Sequence, residues 1–325
     1  MVKKAELHVH LEGTATPALV KQLAAKNGAA LDPTTFKSDG EFAWDDFWGF
    51  LDCYDKAAAA IRSIDDYRFV TYNYLARCAL EDVIYVEMFS SPDHAAEVGM
   101  SYTDHLEGIA AGIEDARAEF GIEGRIIVTC VRHLGAEKAL NVAQKFVDNP
   151  HPYVVGFGMG GDEAQFHPKN FAPAFNLAHD AGYQTTNHAG EFGGPESIRA
   201  TLDHLPVSRI GHGVRAIEDK LLLEELADRR MPLELSPGSN ISTKLYKSRA
   251  DHPFREIMEA GCIVTLNSDD PPFFGTSIGL EYDEATRHYG LDDRDLEGIT
   301  ANAIRASFCD EDLKERLLSE IDIKT

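Results

Sequence analysis

Along this chain, short runs rich in branched and aromatic residues alternate with longer stretches whose apolar positions recur every three to four residues. The short runs at 6–10, 83–89, 125–131, 154–159, 183–188, 209–212, 232–236 and 263–267 predict eight strands. Several, such as 125–131, are apolar nearly throughout instead of alternating, the pattern of strands buried on both faces of a parallel sheet. Amphipathic helices are predicted over 101–120, 136–146, 171–181, 195–202 and 219–229. In the first, Leu106, Ile109, Ala110, Ile113 and Ala116 share one face. Repeated strand–helix alternation predicts a parallel α/β fold, a (β/α)8 TIM barrel. A doubly wound open sheet is the alternative, and eight strands favour closure.

Two stretches depart from the alternation. Between Pro17 and Leu80 the chain predicts a helical insertion after strand 1, with Phe36, Phe42, Trp44, Phe47, Trp48 and Phe50 clustered in it. The cluster reads either as a core patch of that insertion or as a lid over the barrel mouth, and the two are compatible. After Pro272 the pattern is helical to the end, a C-terminal cap. No repeat, linker or low-complexity tract interrupts residues 1–325, so a single barrel domain is expected.

Composition narrows the function. Apolar types make up 44% and charged types 26%, a globular balance. Basic residues number 31 against 54 acidic ones, a net charge of −23. That excess disfavours nucleic acid and anionic membranes as partners, since both call for positive surface. Five scattered cysteines without a CxxC pair suggest neither a disulfide framework nor a cysteine metal site. A reducing, cytoplasmic setting is expected. No signal peptide and no run near the roughly 18 apolar residues of a membrane span is visible. A small-molecule partner is therefore expected, with the oligomeric state open.

Candidate chemistry sits where a barrel enzyme places it, at the C-terminal ends of strands. Strand 1 ends His8-Val9-His10. Residues two apart share a face, so both imidazoles can reach one metal, or can be hydrogen-bonded interior histidines. Strand 5 ends His188-Ala189-Gly190-Glu191, a further ligand with an acid beside it, or a loop histidine and a solvated glutamate. Strand 6 ends Gly211-His212-Gly213, where flanking glycines expose a ring, or simply make a turn. Strand 8 runs into Asp269-Asp270-Pro271, two carboxylates whose side chains diverge, or a turn. Singly each is weak. Together, four strand ends of one barrel carry histidine or carboxylate, and three imidazoles with one carboxylate suit zinc with a position left open for water.

These segments, together with Glu6-Leu7-His8-Val9-His10-Leu11-Glu12-Gly13 and Gly160-Gly161-Asp162-Glu163, resemble the adenosine deaminase family of metal-dependent amidohydrolases, in the family's order from residue 6 to 271. The resemblance implies one Zn2+ per chain held by His8, His10, His188 and Asp269. It implies His212 as general base and Glu191 as general acid toward purine N1. Asp270 would bond N7 and the Gly161 N–H would reach N3, with His10 and Glu12 also facing substrate. Residues 156–163 contain no lysine to bridge a second metal, which fits a single ion. The implied reaction is hydrolytic removal of the 6-amino group of an adenine compound. A phosphoesterase on the same barrel would call for a basic pocket. A silent relative would have lost the acid or a ligand, and none is missing.

The substrate within that class turns on two positions. Glu12 stands where nucleoside-processing members carry aspartate, and it also occurs in the adenine branch. Gly156, Gly158, Gly160 and Gly161 make a wall poor in side chains, which reads as extra room or as tight packing. The free-base branch usually has a serine pair in this turn. Its absence favours adenosine or a related nucleoside, with free adenine as the alternative.

Overall fold

The computed structural model describes residues 2–321. All eight expected strands form, each bounded within two residues of its expectation: β1 Lys4–His10, β2 Val83–Ser90, β3 Glu123–Val131, β4 Val154–Gly160, β5 Gln184–Ala189, β6 Arg209–His212, β7 Leu233–Leu235 and β8 Val264–Leu266. They pair in parallel in the order β1 to β8. Closure comes from two backbone bonds, His10 N–H to the Asp269 carbonyl at 3.0 Å and Asp269 N–H to the His8 carbonyl at 3.1 Å. The open-sheet alternative is thereby set aside. β8 is short because the Asn267 side chain takes over its ladder. The Asn267 amide accepts from Leu7 N–H at 2.9 Å and donates to the Leu235 carbonyl at 3.0 Å, tying β1 to β7.

The five expected helices form at Tyr102–Phe120, Ala136–Asp148, Ala172–Asp180, Pro195–His204 and Lys220–Asp228. Their starts follow local chemistry: Ser101 accepts from Asp104 N–H at 3.0 Å, and Pro195 opens its helix where a missing N–H costs nothing.

The insertion after β1 carries helices Pro17–Asn27, Phe47–Ala58 and Ile64–Leu80. Its aromatics do both things the sequence suggested. Phe42 stacks on Phe273 with centroids 3.9 Å apart, and Phe50 packs on Phe274 at 4.9 Å. Phe47 and Phe50 also line the cleft at the barrel mouth.

The C-terminal helices Ile278–Tyr289, Asp293–Ala306 and Glu311–Ser319 form the expected cap. Ala301, Ile304, Leu313 and Leu317 cluster with Ala5, Leu7, Ile84 and Tyr85 of β1 and β2. At the opposite end from the mouth, Phe308 lies 3.6 Å from the Arg209 guanidinium and donates its N–H to Glu87 at 2.5 Å, flooring the barrel. Among the described residues no helix is long and apolar enough to cross a membrane.

Candidate active site

The ends of β1, β5 and β8 converge. His8, His10, His188 and Asp269 bring one donor atom each within 4.8 Å of one another. His10 Nε2 faces His188 Nε2 at 3.1 Å, and Asp269 Oδ1 lies 3.4 Å from His10 Nε2 and 3.6 Å from His8 Nε2. His8 Nδ1 pairs with Glu234 at 2.7 Å, so its proton points away from the cluster and leaves the Nε2 lone pair facing it. That Nε2 is buried and has no partner in the protein. Burial drives the His8 pKa down to about 3, with Arg209 adding to the effect. His10 and His188 are likewise held far below the ordinary imidazole range by burial and mutual repulsion. Neutral imidazoles with inward lone pairs, an orphaned nitrogen and one carboxylate fit a divalent metal.

His212 and Glu191 complete the mouth. His212 Nε2 sits 3.5 Å from Glu191 and 4.0 Å from Asp269 Oδ2. Burial keeps the His212 ring neutral. Burial first, and then the charges of Asp269 and Glu163, push the Glu191 carboxyl well above the carboxylate range. Asp270 is raised too, by burial and by the adjacent Asp269, and its buried Oδ1 has no protein partner. His212 and Asp269 both hold left-handed backbone, φ 58° and 64°. Non-glycine residues adopt that region only when their surroundings enforce it.

Glu12 is buried on the first turn after β1. Its carboxylate accepts from Ser90 at 2.6 Å, Tyr54 at 3.2 Å and Tyr67 at 3.3 Å. Burial and the Glu12 charge raise both phenols well above their usual range, so they stay donors. The cleft is lined by His10, Glu12, Phe50, Tyr54, Glu191 and Asp270 among others.

Every sequence-derived candidate thus reaches one mouth. In the glycine wall, two positions are closely packed. A Cβ on Gly158 would lie 3.1 Å from both Ile127 and Phe89, and one on Gly161 would lie 2.8 Å from His133. Packing thus accounts for Gly158 and Gly161, while a Cβ on Gly160 would lie 3.3 Å from both His10 and His188.

Sequence reading missed the supports: Glu234 behind His8, Tyr54, Tyr67 and Ser90 around Glu12, and Glu163 beneath the Glu191 loop. One signal was available. A lone acid inside an apolar strand, as in Leu233-Glu234-Leu235, must find a partner in the barrel interior.

The model of the adenosine deaminase family matches residues 3–324. An adenine deaminase of Chelativorans sp. is 48% identical over 321 residues, covering 99% of this chain and 98% of that protein. The crystal structure of adenine deaminase from Arthrobacter aurescens superposes with a TM-score of 0.91 at 29% identity, covering 98% of each chain. An amidohydrolase from Burkholderia ambifaria with bound Zn follows at TM-score 0.88 and 26% identity, covering 98% of this chain and 89% of that one. Fold, site and full-length similarity agree: the chain belongs to the adenosine deaminase family.

Proposed function

We propose that this protein hydrolytically deaminates adenine, the free base, to hypoxanthine and ammonia with one zinc ion at His8, His10, His188 and Asp269. The sequence-based preference for adenosine rested on the missing serine pair in the Gly160-Gly161-Asp162-Glu163 turn. Relatives named adenine deaminase match the chain over nearly its full length at 42–48% identity, which supports the free-base alternative instead.

The observation that carries the reading is the environment of Glu12. With Asp270 at N7, Glu191 at N1 and the Gly161 N–H at N3, as the family resemblance implies, N9 of the purine would face the sector at the ends of β1 and β2. Glu12 and Ser90 lie there, with Tyr54 covering them. Three hydroxyls occupy part of the Glu12 carboxylate, and a carboxylate has about four acceptor positions, so one remains for an N–H. Adenine has an N9–H to give; adenosine carries a sugar there. A buried carboxylate left without that proton is penalised, which rejects the nucleoside.

Zinc, when bound, supplies the Lewis acid that makes water nucleophilic near neutral pH. His212, neutral and aimed at the cluster, takes the proton that the water loses as it attacks C6. Glu191, protonated because it is buried, gives its proton to N1 and neutralises the charge that builds on the ring. Asp270 donates to N7 from its raised carboxyl, fixing the plane of the base. His212 then returns its proton to the C6 amino nitrogen, which leaves as ammonia, and the C6 hydroxyl gives its proton back to Glu191 as the carbonyl forms.

Ultraviolet turnover of adenine and adenosine in parallel by zinc-supplemented protein tests this. Adenine should be preferred in kcat/KM by at least about 100-fold. Equal rates, or preference for adenosine, would remove the N9–H role of Glu12.

A further inference from the structure

The Gly160-Gly161-Asp162-Glu163 turn holds a carboxylate that no step above uses. Glu163 is buried, yet it contacts neither the histidine cluster nor the space for the base. Both oxygens point at the loop that follows β5. Oε1 accepts Gly190 N–H at 2.6 Å and the Ser197 hydroxyl; Oε2 accepts Glu191 N–H at 3.0 Å and Gly193 N–H at 2.8 Å. Three backbone donors of the acid-bearing loop, from Gly190, Glu191 and Gly193, thus end on one side chain. The fit leaves no slack, since a Cβ on Gly193 would lie 2.6 Å from Glu163 Oε1.

The clamp has a second arm. Buried Arg132, just after β3, donates to the Glu163 carbonyl at 3.1 Å, to Asn187 at 3.1 Å and to the His188 carbonyl at 2.9 Å. The turn after β4 and the end of β5 are therefore locked as one body. Loops carrying reactive groups need such locking, because a misplacement of about 1 Å costs on the order of 100-fold in rate.

We propose that Glu163 is the positioning residue for Glu191: it fixes the 190–193 backbone so that the Glu191 carboxyl meets N1 of the substrate. This rests on Glu191 being the general acid. Glutamine at 163 keeps the volume but turns an NH2 toward backbone donors, so at least one N–H loses its acceptor.

Two readouts of E163Q, with E191Q and the double variant alongside, decide it. Hydrogen exchange of the 190–193 amides should quicken at least about tenfold, the rest of the barrel unchanged, as expected when buried N–H groups lose their acceptor. With adenine or adenosine, whichever the protein turns over, kcat should fall about 100-fold with KM within about threefold and metal content unchanged. The double variant should be no slower than E191Q alone. If E163Q fails to fold, G193A probes the same clamp from the loop side and should give the same split. Unchanged exchange, or faster exchange with full kcat, overturns the proposal. Full turnover by E191Q overturns the acid assignment instead, so the two failures are separable.

Discussion

The two ends of the barrel are built on opposite principles. At the floor, buried charge is paired: Arg209 lies 2.5 Å from Glu234 and 2.8 Å from Glu87, donates to the Ala306 carbonyl at 2.9 Å, and is covered by Phe308. At the mouth, buried polar atoms are left over. His8 Nε2, His212 Nδ1 and Asp270 Oδ1 have no protein partner, and His212 and Asp269 sit in strained left-handed backbone. A fold keeps unsatisfied groups and strain only where the rest of the structure holds them in place. The floor supplies that hold. Glu234 is common to both ends, taking Arg209 on one side and His8 on the other. The difference teaches that the floor gives stability and the mouth gives chemistry.

Six experiments sharpen or break this contrast. The largest effect should come from metal removal: a strong chelator should abolish turnover and added zinc should restore it. H188A should lose metal as measured by elemental analysis, and full stoichiometry would remove His188 from the ligand set. Next is E191Q, expected to lower kcat about 1000-fold while keeping zinc and thermal stability. The pH profile of the unmodified protein carries the same assignment. Because burial raises the Glu191 pKa and the protonated form is the active one, activity should hold at lower pH and fall as pH rises through that pKa. A profile that instead rose across that range would contradict it.

The floor should behave in reverse. F308A should cost about 3 kcal/mol of stability by denaturant unfolding, while turnover per folded molecule stays within about twofold. A variant that kept its stability and lost its rate would break the division between the two ends. Smallest is Y54F, which removes one hydroxyl from Glu12. Its expected cost is about 1 kcal/mol, read as a rise of several-fold in KM for adenine with kcat nearly unchanged.

The mouth was more legible in the sequence than the floor. Its residues occur as short contiguous motifs at strand ends, HVH, HAGE, GHG and DDP, and strand periodicity with barrel topology is enough to bring them together. The floor has no such signature. Arg209, Glu234 and Phe308 are far apart in the chain; the lone acid of Leu233-Glu234-Leu235 signals a buried partner without saying which, and Arg209 and Phe308 resemble ordinary strand and loop residues. The glycine turn was ambiguous in the sequence, extra room or tight packing, and contacts with His133 and Phe89 favour packing at Gly161 and Gly158.

What the sequence determined by itself is the set of local periodicities, hence eight strands, their helices and the polar residues at their ends. These follow from side-chain geometry within a few residues. Only the tertiary structure decided which lone pairs stay free, which carboxylates hold protons and which loops are clamped. Those properties depend on burial and on partners brought from distant segments: Glu234 behind His8, Tyr54 and Tyr67 over Glu12, Glu163 beneath Glu191. Desolvation and hydrogen bonding act through space, and the order of residues along the chain does not encode them locally.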